Sequence, residues 1–325
     1  MMREPVGLGS AEQHHGELLQ GALRRARELV PCLITMPGKG VGSTARFWAR
    51  GPAGSHAPRG ANASSGGKGS LEVTAPWKLE VTPPWKQKAA RAASLALAHL
   101  GAPVTGRLEI ECSVASGVGL GSSTSDVVAA IRAVSAAYGA ALDASTVARL
   151  AVEAEGASDP IMFDRERVLF AQRQGRVLES FGTWIPQYTV MSFDADPAAG
   201  GVDTLGLPVP SYTGAELAAF ESLVARAREA FGRRDSGALA VIATESAGLN
   251  QRFLPMRNFD RIRRLADQSG ALGLQISHSG TIGGVLFEAN FAQTDAALEA
   301  RVSGQLQSMG ARPLGLFTTG GRACD

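Results

Sequence analysis

Three glycines at alternate positions, Gly117, Gly119 and Gly121, run straight into Ser122, Ser123 and Thr124. Glycine lets backbone amides come close to an anion, and short hydroxyl side chains can cap a helix or reach a cation. Downstream, Glu153, Glu155 and Asp159 place carboxylates a few residues apart. Such groups suit holding a hard cation, or orienting and deprotonating a hydroxyl. Near the start lie His14, His15 and Glu17, and near the end the run Ser277-His278-Ser279-Gly280.

The elements around the glycines decide what they can do. Arg107–Val114 alternates, with Leu108, Ile110, Cys112 and Val114 on one face, which predicts a half-buried strand. From Thr124 to Tyr138, Val127, Val128, Ile131, Val134 and Tyr138 fall on helical spacing. Strand, glycine turn and helix start, in that order, make an anion site: the first helical amides lack partners and the macrodipole adds positive charge. The dipole alone is worth only about 0.3–1 kcal/mol, so several amides plus a metal must carry the affinity. The plainer alternative is an N-cap after a tight turn. Two rival phosphate motifs fail. Gly38-Lys39-Gly40 and Gly67-Lys68-Gly69 lack the Ser or Thr that must follow the lysine of a Walker A loop, and Gly117–Gly121 has the wrong third spacing for a dinucleotide fingerprint.

The 325 residues are 45% apolar with a net charge of +2 and scattered basic residues, so a nucleic-acid surface is not expected. Aromatics are 6%, too few for base-stacking platforms. Cys32, Cys112 and Cys324 are far apart and match no structural metal spacing, and they read as reduced thiols of a cytoplasmic protein. Neither a secretory leader nor a membrane span is expected. Gly51–Ser70 is low in complexity, and a tandem octad follows, Leu71–Lys78 and then Leu79–Lys86. The whole stretch, about 51–86, reads as a flexible surface excursion. A helix is expected over Gln87–Leu100 and another over Ser145–Glu155. The Pro-, Gly- and Asp-rich stretch Asp194–Tyr212 suggests a boundary between domains at 1–195 and 196–325. Beyond it, helices are expected near 214–232, 236–250, 257–269 and 292–309, with strands near 271–277, 283–288 and 313–318.

Ala115–Ser125 resembles the second motif of the GHMP kinases, Pro-x-x-x-Gly-Leu-Gly-Ser-Ser-Ala, with Ala115 and Thr124 as departures. The variant Ser122-Ser123-Thr124-x-Asp126 is similar to the L-threonine kinase branch. So is His15-Gly16-Glu17-Leu18-Leu19-Gln20-Gly21, where His15 stands for a cysteine. Gly273–Gly280 resembles that branch's third motif. All three fall in the family's order along nearly the whole chain. The resemblance implies an α+β fold of two domains, the N-terminal one like a ribosomal protein (S5-like) and the C-terminal one ferredoxin-like. It implies an ATP-dependent kinase with Mg2+, acting on a small-molecule hydroxyl acceptor, with no nucleic acid or membrane partner and a homodimer left open. Gly117, Gly119, Leu120, Gly121, Ser122, Ser123 and Thr124 would bind nucleotide. Ser123 would share the metal with Glu155, or with Glu153. Asp159 would act as base or orient the attacking hydroxyl; its plain alternative is a turn ahead of Pro160.

Glu17, read as a lone acid in an apolar helical stretch, would face the acceptor together with Gly16 and His15, and could pair with a substrate ammonium group. A solvent-facing side chain is its plain alternative. His14 and His15, being adjacent, would point apart on a helix, which disfavours a shared metal. His278 and Ser279 would close over the site from the second domain, or else form only a hairpin turn. The acceptor expected from the resemblance is L-threonine or a related hydroxy amino acid. Homoserine or another small alcohol, or a nucleotide sensor without turnover, are the rival readings; retention of Ser123, Asp159 and a nearby glutamate weighs against the sensor.

Overall fold

The computed structural model describes residues 6–49, 79–112, 122–198, 210–290 and 296–319. Two long strands open the chain, β1 (Val6–Arg25) and β2 (Glu28–Ala49), paired antiparallel across a tight turn. His14–Leu23 is buried at every position, because β1 is covered by different layers along its length. Its first part packs on α2 (Ser122–Ala137), and its second part on α4 (Gly214–Arg233) and α5 (Ser236–Asn250). The helical stretch expected around Glu17 is therefore a strand. A stretch buried on both faces, with apolar and polar residues that do not alternate, carries no strand period, and that is why the sequence misleads here.

The N-terminal half adds β3 (Leu79–Thr82), α1 (Gln87–His99), β4 (Gly106–Cys112) and α3 (Ala144–Glu155). The expected strand and three helices are present to within a few residues. The second octad, expected inside the flexible excursion, is instead β3, running parallel to β4 with Leu79 opposite Gly106 and Thr82 opposite Glu109. Leu79 and Val81 alternate onto the apolar core, and the free edge of β4 supplies their hydrogen bonds. Residues 51–78 lie outside the described residues. β5 (Val168–Ala171) pairs with β2 and with β6 (Arg176–Ser180).

β7 (Thr189–Asp194), β8 (Gly273–Ile276), β9 (Ile282–Phe287) and β10 (Arg312–Thr318) continue the sheet in the order β10-β7-β9-β8-β1-β2-β4-β3. They are flanked by α4, α5, α6 (Phe259–Gln268) and α7 (Ala296–Ser308). β7 precedes the boundary expected at 195, yet its strand pairing is with β9 and β10 of the C-terminal half. The two halves of the sheet meet at one residue pair, Glu17 opposite Ile276, beside a series of register shifts in β1 between Ala11 and Leu19. Bulges of this kind re-aim side chains. Among the described residues no helix is long and apolar enough to cross a membrane. Cys32 is a buried free thiol and Cys112 a half-buried one.

The contact between β1 and α2 is unusually close. Gly7 and Gly9, two apart, face the alanine-rich side of α2, where Ala129, Ala130 and Ala133 are fully buried. A Cβ added at Gly9 would stand 2.2 Å from the Ala129 carbonyl oxygen, so backbone would have to move. Gly9→Ala should lower stability by about 1–3 kcal/mol, read as a lower urea midpoint. Gly248→Ala, on an exposed turn of α5 with open space around it, should raise stability by about 0.5–1 kcal/mol.

Candidate active site

Three elements converge where the two halves of the sheet meet. The first is the opening of α2, which presents Ser123 and Thr124. The second is the end of α3, whose N-terminus is fixed by Asp143 accepting from the Thr146 amide at 2.8 Å. Its last residue is Glu155; Gly156 then adopts φ 83, ends the helix and returns the chain so that Asp159 comes back beside Glu155. The third is the bulged middle of β1, carrying His14 and Glu17.

Ser123 Oγ donates to Glu155 Oε2 at 3.1 Å. Thr124 Oγ1 lies 3.0 Å from Glu155 Oε1 and 3.3 Å from Asp159 Oδ2, so one hydroxyl bridges the two acids. Glu155 is buried, whereas Glu153 is exposed on the far side of α3. Burial pushes the Glu155 carboxyl up to about 7, helped by the Asp159 charge and opposed by Lys88 and the two hydroxyls. A buried carboxylate with two hydroxyls around it and too little positive charge is a hard-oxygen donor set, which fits Mg2+.

On the other side of Asp159, His14 Nε2 stands 2.8 Å from Asp159 Oδ2, and His14 Nδ1 4.0 Å from Glu17 Oε1. Burial disfavours the imidazolium, but the charge and hydrogen bond of Asp159, with Glu17 behind, overcome this and push His14 up to about 9. Burial would likewise raise Asp159; the charge and hydrogen bond of His14, with His278 and Thr124, together overcome it and hold Asp159 below the usual carboxylate range. Glu17 has too little relief: the His14 charge favours its anion but does not overcome burial. It is 2% exposed, neither carboxylate oxygen has a hydrogen-bond partner, and burial drives its pKa well above normal. The trio could also accommodate a cation, since one ligand atom from each lies within 4.8 Å of the others.

His15 points the other way. Its Nδ1 accepts from Gln275 Nε2 at 2.5 Å, its Nε2 contacts Ser192 Oγ at 2.7 Å, and its ring packs on Phe317. Both nitrogens are engaged and burial holds the ring neutral, with a pKa lowered to about 3. The expectation that His15 lines the acceptor pocket is thus corrected: the strand sends it between β7 and β8, and His14 is the histidine beside Asp159. Gly16, at φ 72, permits the irregular backbone that follows them and leads to Glu17; a Cβ there would stand 2.2 Å from Gln275 Oε1. His278 is half-buried and close enough to feel the Asp159 charge, and its Nδ1 meets Gln20 Oε1 at 3.0 Å. Ser279 sits in the β8–β9 turn with its hydroxyl between those of Ser277 and Thr281, and Gly280 at φ 76 closes that turn. Gly117, Gly119, Leu120 and Gly121 lie outside the described residues, and Ser122 is the first residue of α2.

Sequence reasoning missed several groups. Lys86 Nζ makes a short ion pair with Asp126 on α2, and Ser43 Oγ donates to the same carboxylate at 2.8 Å. That network ties the first turn of α2 to β2 and to the start of α1. The signal was the Lys86-Gln87-Lys88 run ahead of α1. A pocket opens beside the trio, lined by His14, Glu12, Thr35, Pro160, Phe163 and Arg167 among others.

The architecture and this site define a class. The family model "GHMP kinases N terminal domain" matches residues 87–164, and "GHMP kinases C terminal" matches residues 227–307. The chain belongs to the GHMP kinases, and so is an ATP-dependent small-molecule kinase. Over 198 residues it is 26% identical to the L-threonine kinase of Citrobacter freundii, covering 61% of this chain and 67% of that one. Its fold matches a homoserine kinase from Cytophaga hutchinsonii with a TM-score of 0.60 at 14% identity, over 98% of this chain and 95% of the other. It also matches a mevalonate kinase from methicillin-resistant Staphylococcus aureus at 0.58 and 16% identity, over 98% and 100%.

The His14–Asp159 pair makes stability depend on pH with a definite sign. His14 is raised in the folded state, so its contribution is complete below pH 6.5 and is lost as pH rises through about 9. Asp159 is lowered, so its contribution is present above its ordinary 3.8 and is lost as pH falls through its depressed folded value. His14→Gln should therefore cost roughly 3 kcal/mol between these limits and progressively less toward alkaline pH. Denaturant unfolding of both proteins from pH 4 to 10 checks this; a constant difference across that range would exclude a charged His14.

Proposed function

We propose that this kinase transfers the γ-phosphate of ATP to the hydroxyl of a small hydroxy amino acid, with L-threonine or a close β-hydroxy relative as acceptor. The observation that carries the amino-acid reading is the charge balance of the buried trio. His14 compensates Asp159, and Glu17 is left without hydrogen bonds or a cation of its own. An ammonium group on the acceptor supplies the missing positive charge and donors, and a ligand without one would leave Glu17 buried and unsatisfied. The likeness to an L-threonine kinase points in the same direction.

Asp159 accepts a hydrogen bond from the acceptor hydroxyl and aims its oxygen at the γ-phosphorus. Held below the usual carboxylate range by His14, it is a weak base, so it works chiefly by orientation. The backbone amides of Gly117–Gly121, with the first turn of α2, cradle the phosphates. Ser123 and Glu155 are the residues that would hold Mg2+, which when bound neutralises charge on the phosphates. His278 and Ser279 approach from the C-terminal half and flank the acceptor.

A screen of hydroxy amino acids and simple alcohols with purified protein, ATP and Mg2+ tests the reading. Turnover is expected with L-threonine or a near relative, and not with alcohols that lack an amine. Nucleotide binding with no turnover on any acceptor would overturn it, and homoserine as the sole substrate would move the acceptor assignment. Asp159→Asn should lower kcat by about 10²–10⁴-fold while nucleotide affinity stays within a few-fold. Normal activity in that variant would remove Asp159 from its role. Because Glu155 titrates near 7 and must be ionised to bind a metal, Mg2+ affinity measured by calorimetry in the presence of ADP should rise as pH increases through about 7. Glu155→Gln should flatten that dependence.

A further inference from the structure

The trio accounts for the ammonium end of an amino acid and for its hydroxyl, and leaves the carboxylate without a partner. The pocket beside it contains a group that itself lacks one. Arg167 stands between α3's following loop and β5, half-buried, and lines the pocket with His14, Thr35 and Pro160 and with the acids Glu12, Asp164 and Glu166. Its Nη2 donates to the carbonyl oxygens of Asp164 at 2.9 Å and Phe163 at 3.5 Å. Its Nε is buried and has no hydrogen-bond partner, and among the described residues no carboxylate lies within ion-pair distance of it. Glu166, the nearest acid in sequence, accepts from Ser180 Oγ at 3.0 Å, and Asp164 is paired with Arg132. Glu12 is close enough for its charge to be felt, but it is exposed at the rim. Some arginines elsewhere are closed by bidentate carboxylates, as Arg226 is by Glu245 and Arg252 by Glu216. Arg167 is the arginine that lines the pocket and is not.

A second donor lies opposite. Thr35 Oγ1 is buried, unpartnered, and on the same pocket wall; its residue is the cross-strand neighbour of Glu17 on β2. Arg167, with a free Nε–H, and Thr35, with a free hydroxyl, line the same pocket beside His14 and form a carboxylate-recognising pair. Pairing would also offset the desolvation that lowers the Arg167 pKa.

We infer that Arg167, with Thr35 Oγ1, binds the α-carboxylate of the phosphoryl acceptor and so selects amino acids over amino alcohols. This assignment rests on the amino-acid reading above. Only binding is involved: no bond of the acceptor is made or broken at Arg167.

The test compares L-threonine with L-threoninamide, which keeps the hydroxyl and amine and loses the anion. Wild-type enzyme should prefer the acid in kcat/KM by about ten- to a hundredfold, mainly through KM. In Arg167→Met that preference should fall to within about threefold of unity, with Thr35→Val and Arg167→Lys in between. The latter two supply the ratio if Arg167→Met does not fold. An acid-over-amide preference that survives in these variants would overturn the carboxylate assignment and leave the threonine reading standing. Equal use of acid and amide by wild type would do the same. Absence of turnover with every hydroxy amino acid would overturn the functional reading, and the Arg167 assignment with it.

Discussion

The site is organised around one buried ion pair, His14 with Asp159. Each partner is expensive to bury alone, and each is retained as an ion because the other is 2.8 Å away. That constraint fixes the relation between two parts of the chain far apart in sequence, the bulged middle of β1 and the turn after α3. It also explains why β1 is irregular there. A regular strand would alternate His14 and His15 across the sheet and send Glu17 to the side of His15. The register shifts between Glu12, His14, Glu17 and Leu19, with Gly16 at positive φ, bring His14 and Glu17 to one side and leave His15 on the other. The polar work of β1 is thus split. His15 joins Gln275 and Ser192 and stitches β1 to the C-terminal strands, while His14 serves the site.

This division shows what the sequence could and could not convey. The amphipathic helices and the half-buried strand β4 were legible because their periods are printed in the apolar residues. Asp159, Ser123 and Glu155 were legible because local motifs mark them, and the structure sets Glu155 rather than Glu153 against Ser123. β1 was not legible as a strand, because burial on both faces erases alternation. The choice between His14 and His15 depended on bulges that no residue type announces. Arg167 was invisible for a different reason. An arginine becomes notable only when its neighbours are known and no carboxylate among them is paired with it. β3 was misjudged because a repeated octad suggested an excursion, while Leu79 and Val81 needed only the edge of β4 to become structure.

The uncompensated groups are concentrated. Glu17, Thr35 and the Nε of Arg167 are buried polar groups without partners, and all lie at or beside the joint of the two half-sheets. Many other buried polar atoms among the described residues are paired, as where Ser246 and Asn250 of α5 bond the backbone of Gln20, though Gln172 Oε1 and Gln275 Oε1 are not. Unpaired groups lower stability, and the gathering of these three at one place argues that a ligand completes them.

Glu155 and Asp159 carry the argument a step further. One hydroxyl, Thr124 Oγ1, touches both carboxylates, so they share a local environment almost completely. Yet they are pushed in opposite directions, Glu155 up to about 7 and Asp159 below its ordinary range. The difference is their second neighbour. Asp159 has the His14 imidazolium, and Glu155 has only hydroxyls and the more distant Lys88. Groups separated in this way are suited to different tasks. Asp159 is already ionised and fixed, ready to receive a hydrogen bond from a hydroxyl. Glu155 is only partly ionised near neutral pH and a cation completes its ionisation, which couples its charge to the arrival of the metal and nucleotide. Thr124, standing where the family motif has alanine, gives the two acids a common contact, so a change in the charge of one is felt by the other through a single proton.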